Sequence, residues 1–90
     1  MLEPETQIET TVGLLESIVV EIRKEHLGGA GGSLCKVKNK RVFFIDLDAD
    51  PATRAERCIA ALASLAEFEG VFLPPAIREL VDRHRLGELA

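Results

Sequence analysis

The chain has 90 residues, 47% of them hydrophobic, and a formal charge of −4. That length holds one core and no second domain, and that composition excludes a disordered chain. No apolar run approaches the length of a membrane span, and the acidic balance argues against a nonspecific nucleic-acid binder.

The charge is unevenly placed. Residues 1–22 carry five Glu and no basic residue, whereas residues 23–41 carry Arg23, Lys24, Lys36, Lys38, Lys40 and Arg41 against Glu25 alone. Cys35 and Cys58 lie far apart, with no clustered ligands of the kind zinc requires. Nothing at the start reads as a signal peptide. The expectation is a cytoplasmic protein with two reduced, packed thiols and no cofactor.

In chain order, residues 1–5 read as frayed. Ile8, Val12, Leu15, Val19 and Ile22 then follow a helical rhythm, and Thr6 with Glu9 has the form of a capping box. The β-branched run Ile18-Val19-Val20 favours a strand. The spacing predicts a helix over 6–16 and a strand over 18–26; a single helix through His26 is the competing reading. Gly28, Gly29, Gly31 and Gly32 mark a bend, or a nest of backbone N–H groups able to hold an anion. A hairpin follows, with strands over 33–38 and 41–47 turning at Asn39-Lys40. This register puts Cys35, Val37, Val42 and Phe44 on one face, expected to lie on the helices. Leu34, Phe43 and Ile45 then fall on an outer face that wants cover from another element or another subunit.

Asp46, Asp48 and Asp50 close the second strand. Asp50 suits an N-cap and Pro51 a first helical position; Thr53 and Glu56 offer another capping box. The helix runs to about Ala66 with Ala55, Cys58, Ile59, Leu62, Leu65 and Ala66 as its apolar stripe. Val71-Phe72-Leu73 is too short to tell strand from buried loop. Pro74-Pro75 leads into a last helix through Ile77, Leu80, Val81 and His84, ending near Arg85–Gly87, with residues 86–90 frayed.

Three resemblances bear on function. The stretch Val42-Phe43-Phe44-Ile45-Asp46-Leu47-Asp48 resembles the first motif of haloacid-dehalogenase-type phosphotransferases. That likeness implies a nucleophilic first Asp, an acid/base second Asp and Mg²⁺; Asp50 stands where that family has Thr or Val. The runs Leu27–Lys38, Phe44–Asp50 and Gly70–Leu80 together look like short bacterial conserved-hypothetical proteins, a likeness covering most of residues 18–82. The order helix, strand, glycines, hairpin, helix is also loosely similar to small bacterial zinc metallopeptidases. Those enzymes carry His-Glu-x-x-His on the helix after the hairpin; here that helix has no histidine.

The resulting expectation is an α+β fold: a small antiparallel sheet of about three strands with helices packed mainly on one face. The reading ranked first is a non-enzymatic protein-interaction domain, as a homodimer or with a protein partner, through Leu34, Phe43, Ile45, Phe72 and Leu73. The alternatives are a small ligand or divalent cation at the corner of Gly28–Gly32 with Asp46, Asp48 and Asp50, and nucleic-acid contact through the basic hairpin.

Overall fold

The computed structural model describes residues 2–29, 31–70 and 72–89, with the side chains of 66–69, 88 and 89 left aside. The chain forms α1 (Pro4–Ser17), β1 (Glu21–Glu25), β2 (Gly32–Val37), β3 (Lys40–Asp46), α2 (Pro51–Glu69) and α3 (Pro75–Leu89). The helix-then-strand reading of the first 26 residues therefore holds, and the class is α+β.

The helix starts earlier than its sequence suggests. Pro4 supplies a pre-set φ at the first turn, and Glu3 takes the N-cap position without a side-chain cap. The Thr6–Glu9 box is thus inside the helix, and residues 4–5 belong to it. The other end closes as a Schellman motif. Val19 N–H donates to Glu16 O and Val20 N–H to Leu15 O, each at 3.1 Å. The Arg41 guanidinium adds a bond to Ile18 O.

In that motif the left-handed position falls on Val19, at φ 63°, where a β-branched side chain is strained. Val19 is also 85% exposed, so its side chain returns little packing for the strain. Val19→Gly is expected to raise stability by roughly 0.5–1 kcal/mol, the strain relieved less the added chain entropy of glycine. Urea denaturation checks this: an unchanged or lower midpoint would show that the Val19 side chain is held by contacts that outweigh its backbone cost.

The sheet has the order β1-β3-β2. β2 and β3 are antiparallel, but β1 runs parallel to β3, Glu21 opposite Val42 through Glu25 opposite Asp46. The sheet is therefore mixed rather than wholly antiparallel. The reason is the connection: β1 and β3 end side by side, and the described residues after β1, 26–29 and 31, lie across the end of β3 before β2 starts on its far side.

The hairpin turns one residue earlier than the sequence reading placed it. Lys38 and Asn39 both take positive φ, 50° and 67°, as a two-residue type I′ turn demands, and Val37 pairs with Lys40. The inward face is the opposite one. Ile22, the one apolar residue of β1, pairs with Phe43, so Phe43, Ile45 and Leu34 point to the helices. Leu15, Cys58, Ile59, Leu62, Ile77 and Val81 meet them in one cluster. Cys35 and Val37 stand on the outer face and are exposed.

The stripe predicted on α2 is observed at Ala55, Cys58, Ile59 and Leu62, all buried; Ala66 lies outside the described side chains. Burial pushes the Cys58 thiol up to about 11, against a smaller opposing pull from Arg54, and keeps it unreactive. The N-terminus is capped by Asp50, whose Oδ1 accepts from Thr53 N–H at 2.7 Å. That bond, joined by the Thr53 hydroxyl, holds the Asp50 carboxyl below its ordinary range. The helix outruns its predicted end and stops at Gly70, φ 64°. The last helix likewise runs past Gly87 to Leu89.

Candidate functional site: an acidic corner wrapped by glycines

Asp46 is the last residue of β3, and strand alternation turns its side chain to the outer face with Val42 and Phe44. Yet its exposure is 0%. The cover is the crossing segment, through Leu27, Gly29 and Gly31. A chain crossing the end of a strand has no ladder partner there, so its N–H groups need acceptors.

Asp46 supplies them. Its Oδ1 accepts from Leu27 N–H and Asp48 N–H, each at 2.9 Å. Its Oδ2 accepts from Gly29 N–H at 2.7 Å and Gly31 N–H at 3.1 Å. A carboxylate has about four lone-pair sites, and all are in use. Burial pushes this carboxyl upward, but the N–H bonds from Leu27, Asp48, Gly31 and Gly29 prevail and hold it at about 2. It is an ionised, saturated acceptor.

Asp48 extends the same arrangement outward. His26 Nδ1 donates to its Oδ1 at 2.8 Å, and Gly28 N–H donates to its Oδ2 at 2.9 Å. The bond from His26 comes first among the causes that lower the Asp48 carboxyl, and the Gly28 N–H second.

The glycines are required by this geometry. Gly28, Gly29, Gly31 and Gly32 have φ between 92° and 103°. At Gly31 an added Cβ would lie 2.6 Å from Arg57 Cγ and 2.9 Å from Thr53 Cγ2; at Gly32 it would lie 1.9 Å from the Phe44 carbonyl oxygen. The nest of N–H groups anticipated for an external anion is thus built, and it holds the chain's own Asp46.

The residues proposed for a divalent cation have other tasks. Asp46 is saturated, Asp48 pairs with His26 and Gly28, and Asp50 caps α2. Among the described residues no group of three His, Cys, Asp or Glu side chains is placed to hold a metal ion. A phosphotransferase nucleophile at Asp46 is disfavoured for the same reason: a carboxylate enclosed by four donors and shut from solvent has neither a free lone pair nor access to substrate.

The proposed contact residues are also placed otherwise than expected. Phe43 (1% exposed), Ile45 (2%) and Leu73 (8%) are in the core, and Leu34 packs against it. Only Phe72 is open, at 79%. These residues therefore form no common exposed surface; the sheet face that carries exposed apolar side chains is the opposite one, with Cys35 and Val37. The pairing of His26 with Asp48, 22 positions apart, had no signal in the sequence; the Asp46 cradle had one, a glycine run close before an apolar strand ending in Asp.

Comparison with protein-family models, with curated proteins and with solved structures returns no match for this chain. No helix among the described residues is long and apolar enough to cross a membrane.

Proposed function

We propose that this chain is a non-catalytic protein-interaction domain of the cytosol, and that the helix-free face of its sheet is a contact surface, first of all for a second copy. The carrying observation is the asymmetry of that sheet. Its one face lies on the helical core, whereas the other presents Cys35 and Val37, both exposed, around buried Val42 and partly buried Phe44. Glu21 and Arg23 ion-pair along one border of this face, leaving its apolar part on the hairpin side. The acidic corner supports the same reading, because its carboxylates are engaged in holding the fold.

Sedimentation equilibrium tests this. The sedimenting mass is expected to rise with concentration from that of a 9.8 kDa monomer towards its double. Val37→Glu, a substitution at an exposed position, is expected to return the chain to monomer without lowering its thermal stability. A wild-type chain that stays monomeric at about 1 mM would remove self-association from the proposal.

A further inference from the structure

We propose that the free edge of β2, with the groove between it and α2, takes up an extended acidic segment of another protein by strand addition. β2 ends the sheet, bonded to β3 on one side only. In a two-residue hairpin the closing pair, Val37 with Lys40, exchanges both its backbone bonds. Alternation then turns the N–H and C=O of Lys36 and Leu34 away from β3 and into solvent. Such an edge is a template for a further strand. The other edge strand is guarded: β1 reads Glu-Ile-Arg-Lys-Glu, and four of its five side chains are charged.

Beside the β2 edge lies a groove of about 190 Å³ whose floor is Leu34 and Phe43 and whose wall is Ala60, Ala61 and Ser64. The small side chains on α2 leave room there for an aliphatic side chain from an added strand. Charge selects the occupant. Arg57 lines the groove over Gly31, Lys36 is exposed at the hairpin end, and neither is paired with a carboxylate among the described residues. Alternating aliphatic and acidic residues fit that pattern. The alternating aliphatic and acidic run in this sequence, Ile45–Asp50, is already built into β3 and the corner after it, and the Glu-rich stretch before β1 is folded into α1. The occupant is therefore a different protein. This surface is also distinct from the helix-free face and stands or falls separately from self-association.

The test is an amide chemical-shift and hydrogen-exchange titration with an acetylated, amidated octapeptide of alternating valine and glutamate. Leu34 and Lys36 amides are expected to shift and gain exchange protection, with accompanying shifts at Ala60–Ser64. Lys36→Pro removes one outward donor without touching a bond to β3 and is expected to abolish binding. Arg57→Glu is expected to weaken it at least tenfold, and this variant carries the test if the proline variant does not fold. Val37→Glu is expected to leave it unchanged. Equal binding of a control octapeptide of alternating valine and lysine, shifts confined to β1 or the helix-free face, or no shifts with about 1 mM valine–glutamate peptide would each overturn the proposal.

Discussion

Asp46→Asn is expected to lower the melting temperature by about 15 °C or more, and to do so although it changes only one side-chain oxygen to an amide. The asparagine keeps one acceptor oxygen, enough for the Leu27 and Asp48 N–H groups. Its NH₂ then faces the N–H groups of Gly29 and Gly31, donor against donor. Both N–H groups belong to the crossing segment and point inward at a side chain with 0% exposure, Gly31 being buried as well, so the lost acceptor leaves them unsatisfied. Charge-assisted bonds are lost with them. Thermal unfolding followed by circular dichroism reads the effect. Asp48→Asn is the control: Asp48 is partly exposed, its partners can turn to water, and a loss of only a few degrees is expected. Equal losses for the two variants would mean that Asp46 is not the centre of the corner.

The second large effect is expected at Gly32. Gly32→Ala places a methyl group 1.9 Å from the Phe44 carbonyl oxygen, a backbone atom that cannot swing aside as a side chain can. The position also has φ 103°, a region closed to alanine. Relief requires β2 to separate from β3 at its first residues, so the expected cost is ~4 kcal/mol or more, in the range that unfolds a small domain. Gly28→Ala isolates the backbone part of this cost, because it has φ 92° and no atom within 4 Å of an added Cβ. Its expected loss is roughly 1–2 kcal/mol. Urea denaturation of the pair separates collision from conformation; similar losses for both would mean that the strand ends are not in contact as described.

The elements were legible because each has a local physical signature. Pro51 after Asp50, the small and apolar stripe from Ala55 to Leu62, and Pro75 before Ile77 each mark a helix from within a few residues. The glycine run and Asn39 mark turns in the same way. What was not legible depends on pairing across the chain. A two-residue turn at Lys38-Asn39 and one at Asn39-Lys40 leave the same side chains on each face, so alternation alone could not say which face is inward. That choice falls to Ile22 meeting Phe43, a contact made only once β1 lies beside β3. The parallel direction of β1 was hidden for a similar reason, since it follows from the glycine segment crossing the end of β3.

The corner shows the same limit at the level of chemistry. Asp-x-Asp after an apolar strand can be read as a nucleophile, a cation site or a solvated strand end. What decides between them is the placement of four N–H groups from residues 27, 29, 31 and 48 around one carboxylate. Lys36 and Arg57 are 21 positions apart, and their common position beside the β2 edge emerges only when α2 packs on the sheet.

The central claim is that the Asp46 carboxylate, ionised and enclosed, holds the crossing segment in place. A folded-state value depressed to about 2, against about 3.9 in an unfolded chain, makes this contribution complete above the unfolded value. It is lost as pH falls through the folded one. The most direct measurement is a carbon-detected NMR titration of the Asp46 carboxyl, with Gly29 and Gly31 amide exchange followed in the same samples. The account predicts a midpoint near 2, with both amides losing protection as the carboxyl takes up its proton. A midpoint in the ordinary range near 3.9, or amides that exchange freely at neutral pH, would contradict it.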